Sequence, residues 1–464
     1  MKGLTFKFKI RLSVVVLTVC AALSAFGQTG TKPLLQPITV YGAPQPQTSA
    51  TPFVQKTGSS APAIATGNPV KTSIPMLANA LIPGVSGVLV ETLDGNVVVE
   101  SGSNNTFNPA SIVKIATSFA VMKTFGPDYR FPTNFWTDGT FDQATGTLYG
   151  NLYVSGRDPM FGYEHAISAA QALNRLGIRA INGDLVVTDN FAMNYTTSAV
   201  RSSQMLFTSL DASKRSAAAS RVWSAYLVNS GRLAQSTGMA SITFTGGVYV
   251  QPMPGNLKLL FSHESAPLRE IVKATNSYSN NFLSDRLGDM LGGPYAVTRV
   301  VQQNTGIQPG EFYIQTASGL GINRVTPNAM MKVIRAFRND LARYKMTFAD
   351  VMPVAGIDKG TLENRFDTDF AVGSVVGKTG TLGQTDGGVS SLAGELNTRA
   401  GRLLFVIFNQ RGNVNRFRSF QNNYVSLIQG QFGGPATLAY APLSLEARLA
   451  RNRITFPQVQ SAGN

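Results

Sequence analysis

The chain of 464 residues is about three times as long as one average domain, which predicts more than one hydrophobic core. Its apolar fraction of 43%, with 45 glycines and 23 prolines, excludes a mainly disordered, collagen-like or coiled-coil protein, and its net charge of +15 favours anionic partners. One cysteine and two histidines exclude a cysteine/histidine zinc site, so any metal would need oxygen ligands alone. We expect no metal and no cofactor.

The first 27 residues predict a secretory signal. Four basic residues precede an apolar stretch, residues 12–23, and Ala25-Phe26-Gly27 forms a small-residue cleavage pattern. The stretch is short for a membrane span, although an uncleaved anchor stays open as an alternative. Lipidation of Cys20 is less favoured because Val19 is bulky. We therefore expect export to the periplasm or the cell wall.

Residues 28–75 are rich in Thr, Pro, Gln, Ser and Ala and have no apolar period, which predicts a disordered tether that does not pack.

Removal of the four cations of the signal lowers the net charge of the chain from +15 to +11. No basic run contains interleaved aromatic residues, so we expect an anionic wall polymer rather than nucleic acid as the partner. Peripheral association with a membrane surface is a further option.

The folded part is predicted to begin with a hairpin and a buried helix. The apolar runs Gly87–Leu93 and Val97–Val99 flank Asp94-Gly95, a dipeptide typical of a tight hairpin turn. A helix is predicted from Ser111 to Phe125, and Gly126-Pro127 ends it. Because this helix is apolar almost all round, we expect it to be buried.

The middle of the chain predicts a separate module. Residues 136–260 contain short β-like pieces around a stretch of plausible helices, so we expect an inserted β-rich domain. Helical patterns return in residues 267–291 and 326–343, and residues 436–464 are expected to form a C-terminal tail. Late hairpin strands are predicted at Gly373–Thr381, Gly388–Leu396 and Arg402–Asn409.

Ser111 and Lys114 are candidates for a nucleophile and its base. Their spacing of three residues places both side chains on one face of the predicted helix. A serine hydroxyl becomes nucleophilic when a base takes its proton, and a lysine amine becomes such a base when burial removes its hydration. The ordinary alternative is a lysine that extends to solvent, but no other lysine of the chain follows a serine at this spacing.

Two further patterns could complete such a site. Ser279 can relay a proton to a leaving amine, and Asn281 offers a donor and an acceptor to a substrate amide or to the lysine. The run Lys378-Thr379-Gly380-Thr381 offers a cation and hydroxyls to a carboxylate, and its glycine would let a substrate backbone approach. Each pattern also occurs once elsewhere, in Ser103-Asn104-Asn105 and Lys56-Thr57-Gly58, so neither is specific by itself.

The three patterns follow one another in the order SxxK, SxN and KTG, which resembles the serine β-lactamase and penicillin-binding superfamily. Longer matches are similar to the class C low-molecular-mass penicillin-binding proteins, the D-alanyl-D-alanine carboxypeptidase/endopeptidase family, over roughly residues 80–430. The matching segments are residues 108–114, 276–282, 318–320, 323–327, 353–356 and 378–382. That family is also similar in carrying a long insertion, and here 168 residues separate Ser111 from Ser279.

The resemblance implies an α+β fold with two domains. A β-lactamase/transpeptidase-like catalytic domain, with an antiparallel sheet flanked by helices, would consist of residues 76–135 and 261–435. The β-rich domain of residues 136–260 would be inserted into it. The implied partners are peptidoglycan peptides and β-lactam antibiotics, and the oligomeric state stays open.

The resemblance also implies a role for each candidate residue. Ser111 would attack a D-alanine carbonyl with Lys114 as the general base, and the backbone amides of Ser111 and Thr381 would form the oxyanion hole. Ser279 and Lys378 would pass a proton to the leaving amine, and Asn281 would orient the acyl-side amide. The carboxylate of the leaving D-amino acid would bind to Lys378, Thr379 and Thr381, beside Gly380.

Other functions remain as alternatives to this carboxypeptidase/endopeptidase. A Ser-His-Asp hydrolase would need His165 or His263 as the base, but neither lies beside a GxSxG sequence, and we expect His263 at the surface or at a rim. A β-lactamase would keep all three patterns and deacylate rapidly. A non-catalytic peptidoglycan-binding protein would have no need of both a nucleophile and a base.

Overall fold

The computed structural model describes residues 67–232 and 239–458. The predicted signal, residues 1–27, and most of the predicted tether lie outside the described residues. The last part of that tether contradicts the expectation that it does not pack, because Lys71–Thr72 forms a strand. This strand pairs with Val99 and Glu100, whose free edge supplies partners for its backbone.

A six-stranded antiparallel sheet, the central sheet, organises the larger part of the described chain. The predicted hairpins are confirmed within it. In spatial order its strands are Lys71–Thr72, Val97–Ser101, Val85–Thr92, Gly401–Gln410, Val389–Thr398 and Val375–Leu382.

Helices cover both faces of the central sheet. Alternate side chains of a strand point to opposite faces, so Val88 and Leu89 belong to different cores. Val88 packs in the core that contains residues of helix Val414–Gln431, the outer helix. Leu89 packs in the core that contains helices Val113–Phe125 and Pro327–Arg343. The predicted α+β fold, an antiparallel sheet flanked by helices, is therefore confirmed.

Helix Val113–Phe125, the central helix, is buried as its sequence predicts. A 3₁₀ turn, Ala110–Ile112, leads into it, and its residues from Val113 to Met122 are all buried. Gly126 ends it with φ +82°, a conformation that favours glycine. The first residues of this helix are thereby held inside the protein against the central sheet.

The predicted inserted domain has its own core and two sheets. One sheet consists, in spatial order, of Thr243–Phe244, Ala180–Asn182, Thr147–Tyr149 and Thr140–Asp142. The other consists of Val248–Val250, Leu185–Val187, Leu152–Gly156, Pro132–Thr137, Lys258–Glu264 and Arg453–Thr455. Helices of this region are Tyr163–Arg175, Ala199–Leu210 and Ala217–Asn229.

The boundaries of this domain in the structure differ from the expected ones. Residues 136–260 would cut through two strands, because Pro132–Thr137 and Lys258–Glu264 pair with each other along their lengths. The expected tail, residues 436–464, is also partly built into the fold. Its strand Arg453–Thr455 pairs with residues 262–264, and its helix Leu445–Leu449 contributes Leu445 to the main core.

The other elements surround the central helix or connect the layers. Further helices are Pro75–Ala78, Leu268–Ser277, Asn281–Leu291 and Pro294–Thr305, with 3₁₀ turns at Pro309–Glu311, Phe348–Asp350 and Thr385–Gly387. A small two-stranded sheet joins Phe312–Tyr313 to Arg324–Val325. Among the residues described, no helix has the length and apolar character needed to cross a membrane.

Candidate active site

The turn that carries Ser111 is fixed by the side chain of Asn108. Its Oδ1 accepts a hydrogen bond from the backbone amide of Ala110 at 3.1 Å, and its Nδ2 donates to Gly321 O at 2.9 Å and to Asp386 Oδ2 at 2.8 Å. Ala110 has φ +49°, an uncommon conformation for a residue other than glycine. These contacts place Ser111 at the start of the central helix, at the edge of a cleft.

Lys114 is completely buried, and its amine contacts the Ser111 hydroxyl at an Nζ–Oγ distance of 3.0 Å. The amine also donates to Asn281 Oδ1 at 2.7 Å and to Ser318 O at 2.6 Å. Loss of hydration lowers the pKa of Lys114 from 10.5 to about 7, although the negative charge of Asp285 opposes this shift. The amine is therefore available in its neutral, basic form near neutral pH.

Asn281 reaches Lys114 because the chain turns sharply between two helices. Helix Leu268–Ser277 ends before Ser279, whose φ of +53° reverses the chain direction, and the Asn280 side chain then caps helix Asn281–Leu291. Ser279 and Asn281 both line the cleft with Ser111. Two of the three sequence patterns therefore meet at Lys114.

The strand Val375–Leu382, the KTG strand, lies at one edge of the central sheet and passes directly beside the turn of Ser111. A Cβ atom on Gly380 would lie 2.6 Å from Pro109 O and 3.2 Å from the amide nitrogen of Ser111. The glycine thus permits close approach of the protein's own backbone, whereas the sequence suggested approach of a substrate. Thr379 and Thr381 line the same cleft.

Lys378 is fully buried, and its Nζ donates to Thr379 O at 2.7 Å. Loss of hydration lowers its pKa well below the usual range, and repulsion by Lys114 adds to this effect. No direct hydrogen bond joins Lys378 to Ser279 within the described part of the chain. The structure thus brings Lys378 close to the other candidate residues, but it forms neither an exposed cation nor a direct proton relay.

Five of the candidate residues line one cleft of about 540 Å³: Ser111, Ser279, Asn281, Thr379 and Thr381. Two arginines that the sequence patterns did not single out, Arg365 and Arg418, line this cleft as well. Arg418 Nη2 donates to Thr381 Oγ1 at 3.1 Å, so one guanidinium lies directly at the KTG strand. This end of the cleft is suited to an anion.

The histidines lie away from the cleft. The rings of His165 and His263 lie next to each other, with centroids 4.7 Å apart, and neither residue lines the cleft with Ser111. His263 is completely buried on strand Lys258–Glu264, so the expectation of a surface or rim position is wrong. It is buried because its ring packs against Phe161 and His165, with ring centroids 5.3 and 4.7 Å away. A Ser-His-Asp arrangement at Ser111 is not formed.

Several groups that act on the lysine or shape the cleft were not predicted from the sequence. Asp285 lies one helical turn after Asn281, and this spacing could have identified it. Burial raises the pKa of Asp285, while hydrogen bonds from Ser318 and the charge of Lys114 oppose that rise. The two arginines carry no local signal, because only folding brings them to the cleft. Ser318 lies in a segment that resembles the family, but its contact with Lys114 depends on the folded chain.

Comparison with known proteins identifies relatives of this arrangement. Residues 76–202 and 209–427 match the family described as D-Ala-D-Ala carboxypeptidase 3 (S13). The D-alanyl-D-alanine carboxypeptidase DacB of Haemophilus influenzae is 30% identical over 183 residues, which cover 36% of this chain and 36% of that protein. The carboxypeptidase DacB of Mycolicibacterium smegmatis is 32% identical over 170 residues, or 33% of this chain and 36% of that protein. The aligned part thus spans about a third of these curated relatives.

Solved structures show the same fold over most of the chain. The predatory peptidoglycan endopeptidase Bd3459 of Bdellovibrio bacteriovorus has a TM-score of 0.67 and 23% identity, covering 80% of this chain and 98% of that one. A penicillin G acylated form of Bd3459, in complex with an immunity protein, has a TM-score of 0.66 at 24% identity, covering 77% and 96%. Penicillin binding protein 4 of Haemophilus influenzae has a TM-score of 0.56 at 20% identity, covering 75% and 96%.

Proposed function

Because the chain belongs to the D-Ala-D-Ala carboxypeptidase 3 (S13) family, we propose that it is a serine-type D-Ala-D-Ala carboxypeptidase/endopeptidase. Its substrates would be the stem peptides and cross-links of peptidoglycan, and β-lactams would acylate the same serine. The observation that carries this proposal is the buried Lys114 amine at 3.0 Å from the Ser111 hydroxyl.

The partners of Lys114 favour a neutral amine that acts as a base. Asn281 Oδ1 and Ser318 O only accept hydrogen bonds, so they take the two N–H groups of a neutral amine. The remaining lone pair then faces Ser111, and the serine hydroxyl donates to it. In this state the serine proton is already directed at its acceptor.

Acylation proceeds by attack of Ser111 Oγ on the carbonyl carbon of the D-alanine residue, while its proton moves to Lys114 Nζ. The oxyanion is proposed to be stabilised by the backbone amides of Ser111 and Thr381, since the KTG strand passes beside the serine turn. The C–N bond then breaks, and the proton held by Lys114 passes through the Ser279 hydroxyl to the leaving amine, which restores the neutral lysine. An ester on Ser111 is formed.

Deacylation reverses these roles with water as the nucleophile. Lys114 takes a proton from water as the oxygen attacks the ester, the carboxylic acid leaves, and the Ser111 hydroxyl is restored. Asn281 is proposed to orient the acyl-side amide as well as the lysine. Thr379 and Thr381 are proposed to bind the carboxylate of the leaving amino acid. The buried Lys378 donates to Thr379 O within the same strand.

The test is mass spectrometry of purified muropeptides after incubation with the protein and with Ser111→Ala. Loss of one D-alanine from monomers would identify a carboxypeptidase, and release of monomers from dimers an endopeptidase. Both activities should disappear in Ser111→Ala. Unchanged muropeptides would contradict the proposal and support a non-catalytic binder, whereas rapid hydrolysis of penicillin alone would support a β-lactamase.

We also propose that the protein is exported and works in the periplasm or at the cell wall, where its substrate lies. The basic composition of the chain is consistent with an anionic wall polymer or membrane surface as its surroundings. Cell fractionation with an antibody against the folded part tests this location. Recovery in the cytoplasm alone would contradict it.

A further inference from the structure

Two guanidinium groups converge on one end of the cleft from different parts of the chain. Arg365 comes from the loop that follows Thr361, and Arg418 comes from the outer helix. Both line the cleft together with Ser111, Thr379 and Thr381. This placement puts two cations on the side of the KTG strand, where the leaving group of the proposed reaction would lie.

Neither guanidinium is neutralised by a carboxylate. Within residues 67–232 and 239–458, no ion pair includes Arg365 or Arg418. Arg365 donates instead to the neutral side chains of Asn422, at 2.7 and 2.9 Å, and Gln421, at 3.2 Å. Arg418 donates to the hydroxyl of Thr381. Partly buried cations without a counter-ion are costly, so this arrangement is suited to an anion supplied from outside.

The two arginines offer separate positions rather than one. Arg418 reaches the KTG strand at Thr381, whereas Arg365 is held at Asn422. Asn422 lies four residues after Arg418 on the outer helix, which is about one helical turn or ~6 Å along its axis. One carboxylate at Thr381 would contact Arg418, and a second carboxylate would meet Arg365.

We propose that Arg418 and Arg365 form a two-point anion subsite that recognises a leaving amino-acid residue with more than one carboxylate. This inference rests on the proposed acyl-transfer function and narrows its substrate. Arg418 takes the α-carboxylate together with Thr381, and Arg365 takes a second carboxylate. The preferred leaving group is then a residue with two free carboxylates rather than D-alanine.

The charges within the site agree with the proposal that the two arginines, rather than Lys378, bind the carboxylates. Burial lowers the pKa of Lys378 and disfavours its ammonium form, so Lys378 binds an anion only weakly. Burial lowers the pKa of Arg365 to about 10, and Arg418 contributes repulsion to that shift. A group with this pKa is still cationic at neutral pH, and therefore the arginines supply the positive charge.

The experiment compares three peptides with the same acyl part ending in D-alanine. Their leaving groups are D-alaninamide, D-alanine and D-glutamate, which carry no, one and two carboxylates. The measured quantity is kcat/KM for release of the leaving group. In the unaltered protein we expect kcat/KM to rise about tenfold with each carboxylate, since a charge-assisted hydrogen bond has about this effect.

Variants separate the two positions. Arg365→Gln should lower kcat/KM for the D-glutamate peptide about tenfold and leave the other two peptides within about threefold. Arg418→Gln should reduce both acidic leaving groups towards the rate of the amide. Arg365→Lys keeps the charge and should retain most of the D-glutamate preference. The exposed Arg416, on the same helix, gives the matched control Arg416→Gln, which should change none of the three values.

The outcomes distinguish this inference from the proposed function. If the protein cleaves all three peptides equally well, or if Arg365→Gln slows all three by one factor, the subsite is refuted while acyl transfer stands. Equal selectivity in Arg365→Gln and in the unaltered protein would also refute it. If the protein cleaves none of the peptides and penicillin does not acylate Ser111, the proposed function fails, and the inference fails with it.

Discussion

Two buried lysines, on neighbouring helices, show how differently the same residue can be used. Lys114 on the central helix contacts a serine hydroxyl, a side-chain amide and a backbone carbonyl. Lys273, on helix Leu268–Ser277, donates to Asp358 Oδ2 at 2.6 Å and to the carbonyls of Ala349 and Met352, at 2.7 Å each. Only the second lysine has a carboxylate in direct contact.

The difference separates a reactive amine from a structural cation. Burial lowers the pKa of both lysines, to about 7 for Lys114 and to about 8 for Lys273, and Asp358 opposes the shift at Lys273. The Lys273–Asp358 pair ties the helix before Ser279 to the loop that carries Gly360 and Thr361 in the cleft. Lys114 instead faces the nucleophile, so the lowered pKa there has a chemical consequence.

The largest expected effect is that of Lys114→Met. Acylation of Ser111 by a fluorescent penicillin should slow by about a hundredfold to ten-thousandfold, because the serine loses the base that accepts its proton. Thermal unfolding should show a folded protein, since a nonpolar side chain fills the buried position. Labelling at the unaltered rate would remove Lys114 from its role.

The same substitution at the second lysine should act on stability instead. Lys273→Met leaves Asp358 buried without its cation, and the free energy of unfolding should fall by about 3–5 kcal/mol. The double variant Lys273→Met/Asp358→Leu should recover part of that loss, because no unpaired charge remains. Denaturant unfolding measures the free energy of unfolding of the single and the double variant. A stable Lys273→Met protein that no longer reacts with penicillin would instead place Lys273 in the chemistry.

Gly380→Ala tests the contact between the KTG strand and the serine turn. A methyl group 2.6 Å from Pro109 O must push the strand away, and acylation by penicillin should slow about tenfold to a hundredfold. Gly430→Ala, where no atom lies within 4 Å of the added carbon, is the control and should react normally. Normal acylation of Gly380→Ala would show that the strand can move without loss of the site.

The smallest effect concerns Asp285, a positioning residue that acts on Lys114 through its charge. Its negative charge raises the pKa of Lys114, so Asp285→Asn should lower that pKa further. The acylation rate rises with pH as the amine loses its proton, and the midpoint should move to lower pH by about one unit. Asp289→Asn, at an exposed position on the same helix, should shift it less. A shift to higher pH would contradict the assignment.

Much of the fold was predictable because it depends on local patterns. The apolar run after Ser111 predicted a buried helix. The apolar runs around Asp94-Gly95 and the strands predicted at Gly373–Thr381 and Gly388–Leu396 form hairpins of the central sheet. The domain boundaries were less predictable. Strand Pro132–Thr137 carries no signal that its partner is Lys258–Glu264, because this pairing joins residues far apart in the chain.

The residues of the site also differ in whether local sequence patterns could predict their positions. Ser111 and Lys114 could be paired from their spacing on one helix. Asn281 and Ser318 contact Lys114, and the two arginines line the cleft, only through tertiary packing. The sequence also gives no measure of burial. Lys378 was expected to act as a cation towards a carboxylate, but its complete burial disfavours the charged form, and this property depends on the whole fold.

The central claim is that the Lys114 amine is neutral near physiological pH and therefore serves as the base for Ser111. Titration of lysine Nζ signals by heteronuclear NMR, with Lys114→Met to assign the signal that disappears, measures this directly. The account predicts a midpoint at about 7 for Lys114. A midpoint near 10.5, the ordinary value for lysine, would contradict it.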